Sequence, residues 1–577
     1  MKLRWVVLGG FLLASALFLI PVLAKLGWWG TNDWDQHMFY HAAPAVSLLR
    51  YGQFPLWNPW QCGGSAMLAN PQSAFLSPIF PFVLLFGAPV GLKLALLFHL
   101  AFGMWGMWLL GRHLKFSVQG SVAAAAIFFF SSWLSLRVVA GHTVYFCVAY
   151  LPFAVLFFLK AQKRWQFAIL SGAMLGLMLL SGGVYMLLFS SLLLGMLGLF
   201  QCIQQRKARP LLLVFFVLIA AGLLGAVKLL PMLEFTQRYA VEMQDKEYTS
   251  WQILYNSFMS RNQRVLTQDR FFYEAILEGT PEQAWEKMYN GQAPWAWHEY
   301  GAYIGFLVLA LVLLSFRWLR KTWILIALMI LFLAITAGQL LGVSAIIYFL
   351  PFLKSLHGPS RFALLAVFCA ALLAGFSLTK IGQLRRGRLI AWAVVALIIL
   401  DLATVSMPVL SDAFVIKPSK IGPADDRFFQ IIIENPYQTG QYSGLMQNLG
   451  TLNCYERVHP PISAIAAGNF EGAVNPAYRG GAFLAQQNKT VQVEFSPNVF
   501  TVSVLPLRDD LLVLNQNYDP GWKSSAGPVV NSDGLAAVWV RAGQQTVTFR
   551  YLPTSFLTGL AITLLAIGAG IYLWRRP

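Results

Sequence analysis

Charge is scarce in this chain. Of 577 residues, Asp, Glu, Lys and Arg together make up 11%, against roughly 25% in an ordinary soluble protein. With 57% hydrophobic residues and a mean hydropathy of +0.60, this excludes a string of soluble domains. Cysteine is also scarce: five residues do not make a disulfide framework. Cys147, Cys202 and Cys369 lie in or beside apolar runs, where cysteine behaves as a small hydrophobe. Cys62 and Cys454 lie in polar segments and are able to pair. A phosphate loop, a His-Glu-x-x-His helix and a Cys-x-x-Cys pair are all missing, so the chain carries none of those nucleotide or metal signatures.

What the sequence does have is long apolar runs, many near the roughly 20 residues that cross a bilayer. They predict about twelve transmembrane helices, near 5–24, 90–111, 118–134, 144–160, 166–181, 184–201, 211–230, 301–316, 322–338, 362–380, 389–408 and 555–574. Lys2 and Arg4 precede the first run, which is longer than a signal-peptide core and ends without a small-x-small site; it reads as a transmembrane helix. Gly182-Gly183 offers the turn between two spans.

The net charge of +18 invites nucleic acid as a partner, but its placement argues otherwise. The short loops after alternate spans hold Arg112, Lys115, Lys160, Lys163, Arg164, Arg206, Lys207, Arg209, Arg317, Arg320, Lys321, Lys380, Arg385, Arg386 and Arg388, and no acid. The tail adds Arg575 and Arg576. This is the positive-inside pattern. It predicts both termini in the cytoplasm of a bacterial inner-membrane protein, with no nucleic-acid partner.

The polar segments 25–89, 231–300 and 339–361 then become extracytoplasmic loops of a membrane domain covering 1–411. Phe75–Val90 and Gly338–Arg361 read as interfacial or half-inserted pieces. Residues 412–554 form an extracytoplasmic domain, and 555–577 a closing transmembrane helix with its tail. Within 412–554, alternation at Val491, Val493 and Phe495, at Phe500, Val502 and Val504, and at Val547, Phe549 and Tyr551 predicts half-buried antiparallel strands.

Asp33 and Asp35 stand directly after the first span. Charge at the edge of a bilayer is costly and marks functional sites. Either acid can take a proton from an incoming hydroxyl, or the two can hold a divalent cation such as Mg or Mn; helix capping by Thr31, Asn32 or Asp33 is the competing role. Glu299, at the exit of the second long loop, is a candidate second carboxylate, or an acid at a helix start. Arg137, His142, Lys228, His357 and Arg361 are candidate partners for an anionic lipid phosphate. Snorkelling is the alternative for each, and pairing with Glu234 a further one for Lys228. Trp57 and Trp60 read as interface anchors. With no cytoplasmic domain to bind a nucleotide, any donor has to come from the membrane.

Four passages carry a family resemblance: Asp33-Trp-Asp-Gln36 with Pro55-Leu-Trp-Asn58 and Gly63-Gly64; Glu299-Tyr-Gly-Ala-Tyr-Ile-Gly305; His357-Gly-Pro-Ser-Arg361; and Asn517-Tyr-Asp-Pro-Gly-Trp-Lys523 with Val547-Thr-Phe-Arg-Tyr-Leu-Pro553. In these the chain resembles the YfhO family of bacterial membrane proteins, which is similar to the GT-C superfamily of glycosyltransferases. The resemblance implies a mainly α, GT-C-like membrane fold. It also implies a polyprenyl-phosphate-linked sugar donor and a polymer, lipid or protein acceptor in the cell envelope. An Asp of the first loop would be the base, the anomeric carbon would invert, and Arg361 and its neighbours would stabilise the departing lipid phosphate. The alternatives are a lipid or glycolipid transporter or flippase, and a non-catalytic envelope-biogenesis scaffold. Transporters usually show internal repeats and polar groups at the bilayer midplane; here Asp401 is the main polar group inside a span.

Overall fold

The computed structural model describes residues 2–239, 247–268, 295–343, 358–418, 421, 427–432, 440–454, 458–469 and 472–575. Backbone in lipid has to satisfy its hydrogen bonds within its own segment, so the apolar runs become helices. Among the described residues eight stretches are long and apolar enough to cross a membrane: Phe80–His113, Val118–Ala140, Thr143–Ala161, Val184–Gln205, Gly305–Thr336, Pro359–Ile381, Gly387–Leu410 and Thr554–Arg575. Arg209–Leu224 and Ala226–Tyr239, bent by 85°, make a ninth if taken together. Trp5–Phe18 and Phe167–Leu180 are apolar but shorter. The chain is an integral membrane protein.

Two breaks follow from glycine and from packing. Gly87 (φ 72°, ψ 165°) interrupts Phe80–His113, and a Cβ on Gly91 would come within 2.4 Å of the Phe82 carbonyl. The piece that reads as interfacial in the sequence is thus folded back on the helix it introduces. Gly305–Thr336 doubles back at the 3-10 turn Phe316–Trp318. Ser377 Oγ donates to the Leu311 carbonyl, Trp318 packs on Phe376 and Phe332 on Phe362. The chain therefore runs toward the Lys380 end of its neighbour and returns to the Arg361 end.

These contacts define two ends of the bundle. Arg112, Lys115 and Arg388 line one cavity at the first end. The second end carries Asp33, Arg137, His142, Glu299 and Arg361.

The C-terminal part is β-rich. Eight strands, β1 Ala482–Leu484, β2 Lys489–Ser496, β3 Val499–Val504, β4 Asp510–Asn517, β5 Trp522–Ser524, β6 Val530–Ser532, β7 Leu535–Val540 and β8 Gln545–Tyr551, form one antiparallel sheet in the order β5-β8-β3-β2-β1-β4-β7-β6. The three alternating segments of the sequence are β2, β3 and β8, and they are direct neighbours. A small parallel sheet of Phe429–Ile432, Leu449–Thr451 and Gly468–Asn469 stands beside it.

The first loop is built into this domain. Asn498 Oδ1 accepts from the Trp57 N–H at 2.8 Å, Trp57 Nε1 donates to Gln516 at 2.9 Å, and Asn517 Nδ2 donates to the carbonyls of Cys62 and Gly64. Gly64 (φ +103°) is required there, because a Cβ would lie 2.4 Å from Gln516 Oε1. Trp57 packs on Trp522 and Tyr551. Trp57 and Trp60, expected as membrane-interface anchors, are instead wholly buried in protein. Cys62 and Cys454 form a disulfide across this junction.

Candidate functional site

The helix Trp34–Leu49 follows the first span and is buried along most of its length. Its start is clamped to the turn after Val118–Ala140. The Asp33 N–H donates to the Ala140 carbonyl at 3.1 Å and Trp34 Nε1 to the Val138 carbonyl at 2.7 Å. Gly141 (φ +93°) makes this approach possible, since a Cβ there would stand 2.5 Å from the Trp34 nitrogen. Asp33 occupies the N-cap position, yet its side chain makes no cap bond. The carboxylate turns to His142 instead, Oδ2 to Nε2 at 3.0 Å, with a quarter of its side chain exposed.

From Asp33 a chain of polar contacts runs inward. Arg137 Nη1 approaches His142 Nδ1 at 3.3 Å. A guanidinium has only donors, so Nδ1 is the acceptor and the His142 proton sits on Nε2, donated to Asp33. Burial lowers the His142 pKa, and Asp33 only partly offsets this; the imidazole is neutral. Arg137 also bonds Glu299 Oε2 at 2.8 Å. Arg361 closes a two-pronged pair on the same carboxylate, Nε to Oε2 at 2.7 Å and Nη2 to Oε1 at 2.6 Å, the geometry that makes Arg the better carboxylate partner. Burial opposes the Glu299 charge, but the Arg137 and Arg361 guanidiniums override it and hold the carboxyl well below the usual range. Tyr145 and Tyr185 lie under the two guanidiniums, at 4.9 and 4.6 Å.

Two guanidiniums share one carboxylate here, and the balancing charge is Asp33. Arg137 Nε is buried and has no partner among the described residues. A buried N–H donor left without a partner beside two guanidiniums suits an anion.

Asp33, Arg137, His142, Glu299 and Arg361 of the sequence expectation thus converge. Asp35 goes elsewhere: its two oxygens accept the N–H groups of Gln441 and Tyr442 at 2.9 and 3.2 Å, capping the helix Gln441–Met446 from outside. Burial raises the Asp35 pKa against the pull of those N–H donors. Lys228 is buried and donates to the carbonyls of Pro71 and Ser73. Glu234, the alternative ion partner for Lys228, pairs with Arg238 at 2.9 Å. His357 lies outside the described residues.

The divalent cation expected on Asp33 and Asp35 finds no fit, because both oxygens of Asp35 are turned to N–H donors that a cation would repel. Among the described residues His142, His298 and Glu299 come within 4.8 Å of one another. Glu299 is bracketed by guanidiniums and the His142 Nε2–H points to Asp33, so this set does not suit a hard oxygen-seeking cation either.

In sequence Glu247, among mixed acids and bases, reads as solvated surface, and His298, His37, His41 and Thr143 are passed over. Glu247 is buried and accepts the Ser360 N–H at 2.9 Å. Burial, against the Ser360 bonds, pushes its pKa up to about 7. His37 and His41 follow Asp33 at i+4 and i+8, a spacing that already put them on its face of the helix.

No protein-family description matches the chain, and no curated protein matches it. Among solved structures it is similar to the arabinofuranosyltransferase AftD from Mycobacteria, at 14% identity and a TM-score of 0.47, over 74% of this chain and 29% of that one. It is also similar to the oligosaccharyltransferase of Archaeoglobus fulgidus, at 13% identity and a TM-score of 0.44, over 80% of this chain and 66% of that one. The chain spans about three tenths of the length of the mycobacterial protein.

Proposed function

We propose that the protein is a membrane glycosyltransferase that moves a sugar from a polyprenyl-phosphate-linked donor to a cell-envelope acceptor, working at the extracytoplasmic face. The observation that carries this reading is the chain Asp33–His142–Arg137–Glu299–Arg361 at the end of the bundle opposite the basic loops. It combines a partly exposed, oriented carboxylate with two buried guanidiniums held by one carboxylate. In this reading the spans number twelve and both termini are cytoplasmic, so that the basic loops lie inside.

Asp33 is the base. It takes the proton of the acceptor hydroxyl as that oxygen bonds to the anomeric carbon from the face opposite the phosphate. The bond from that carbon to the phosphate oxygen breaks, its electron pair leaves with the lipid phosphate, and the configuration inverts. Asp33 loses one negative charge as the leaving phosphate gains one, so the summed charge of site and donor does not change. That suits a low-dielectric pocket, where net charge is expensive. Arg137 and Arg361, locked by Glu299, face the charge that develops on phosphate. Neutral His142, held by Arg137, orients Asp33. No step runs through a cation.

The test is the envelope glycan of a producing strain. Asp33→Asn, inserted at normal levels, is expected to lower the product at least ~100-fold, the usual contribution of a positioned base. Unchanged glycan in that strain would remove the enzymatic reading.

A further inference from the structure

Beside Asp33 the loop helix carries a second polar arrangement. Thr143 Oγ1 lies 2.9 Å from His37 Nδ1 and 3.1 Å from His41 Nε2. All three side chains are buried. A hydroxyl has one proton to give, so two arrangements are open: Thr143 donates to His37 and accepts from His41, or the reverse.

The far nitrogen of His41 decides between them. His41 Nδ1 is buried and has no partner among the described residues. If Thr143 donated to His41 Nε2, the neutral ring would carry its proton on Nδ1, as a buried N–H without an acceptor. Orphaned buried N–H groups are rarer and costlier than unfilled lone pairs. The favoured order is His41 Nε2–H to Thr143, and Thr143 O–H to His37 Nδ1. His37 then carries its own proton on Nε2.

That nitrogen has no hydrogen-bond partner among the described residues and is not wholly sealed off. The ring lies 6.3 Å from that of His142, centroid to centroid, which places His37 beside the His142–Asp33 pair. Gln36, on the same helix, is also buried, with neither amide atom partnered among the described residues. Burial keeps His37 neutral, with a pKa near 3 despite the nearby Asp33. It is a fixed N–H donor rather than a proton carrier.

We infer that His37 is a binding residue for a phosphate oxygen of the lipid-linked donor, with Thr143 as the positioning residue that holds its Nε2–H form. This rests on the glycosyl-transfer reading above and extends it from guanidinium contacts to a neutral donor on the first-loop helix.

The experiment measures binding of farnesyl phosphate, with farnesol as the ligand lacking a phosphate, to the full chain in phosphatidylcholine nanodiscs. His37→Leu is expected to weaken farnesyl phosphate about tenfold, the usual size of one hydrogen bond to a charged group, and to leave farnesol unchanged. His37→Gln keeps an N–H donor and should recover most of the loss. Thr143→Val frees His37 to move its proton to Nδ1, and should weaken the phosphate ligand as His37→Leu does, while Thr143→Ser should not. Equal weakening of farnesol, or farnesyl phosphate bound by His37→Leu as by wild type, overturns the assignment of His37 alone. Wild type that binds farnesyl phosphate no better than farnesol overturns the reading of the site on which it rests.

Discussion

Glu299 holds two buried guanidiniums, and its loss is felt by both. Removing one partner of a buried ion pair costs about 3–5 kcal/mol because the remaining charge is stranded. Glu299→Gln is therefore expected to lower the melting temperature in detergent sharply and to reduce the folded yield. A variant that melts like wild type would show that the guanidiniums find other partners. Glu247 supplies a pH dependence. Its carboxyl titrates near 7 in the folded protein, raised by burial, and near 4.5 when unfolded. Between those values the unfolded chain releases its proton first, so stability falls as pH rises from about 4.5 to about 7 and levels off above. Glu247→Gln is expected to stabilise the protein at pH 8 by on the order of 2 kcal/mol, with the gain shrinking toward pH 5; melting curves at the two pH values check it. At this scale Asp33, Glu299, Arg137, His142 and Arg361 were legible, because polar groups at the edge of an apolar span are few. The role of Asp35 was not: its partners lie 406 and 407 positions away, and local spacing holds no trace of them. Nor was the place of Lys228, a candidate phosphate partner, legible, for the same reason: its carbonyl partners Pro71 and Ser73 are in the first loop.

Elements decide whether Asp33 is in place. The loop helix meets the span Val118–Ala140 at Gly141, where the backbone is left-handed and a Cβ would collide with Trp34. Gly141→Ala is expected to cost about 1–2 kcal/mol in backbone strain and, by pushing Trp34 away, to reduce activity more than stability; assay and melting curve of the same preparation separate the two. The disulfide ties the first loop to the β-rich domain. Cys62 and Cys454 should resist maleimide until a reductant is added, and Cys454→Ser should leave Cys62 reactive. Labelling of both without reductant would contradict the junction. The strands β2, β3 and β8 were legible because half-buried strands alternate at period two. The built-in first loop was not: Trp57 and Trp60 look like interface anchors in sequence, and only the distant Asn498, Gln516 and Asn517 show that they are core.

For the whole molecule the basic loops gave the two ends of the bundle, since lysine and arginine cluster where helices turn at one end. The spans were legible in part: the reversal at Phe316–Trp318 separates the two expected at 301–316 and 322–338, whereas Phe167–Leu180 is short and Ala226–Tyr239 bends away. A cysteine at Gln383 is expected to be shielded from an impermeant thiol reagent in intact cells, and one at Ser525 to react. The central claim is that Asp33, and not Asp35, takes the proton at a site fed by a lipid phosphate. It is tested most directly by following release of polyprenyl phosphate from a polyprenyl-phosphate sugar by ³¹P NMR, with purified wild type, Asp33→Asn and Asp35→Asn in nanodiscs. The account expects release by wild type, loss of at least ~100-fold in Asp33→Asn at unchanged melting temperature, and in Asp35→Asn a lowered melting temperature with turnover retained per folded molecule. Turnover by Asp33→Asn at the wild-type rate, or loss of turnover confined to Asp35→Asn, would contradict it.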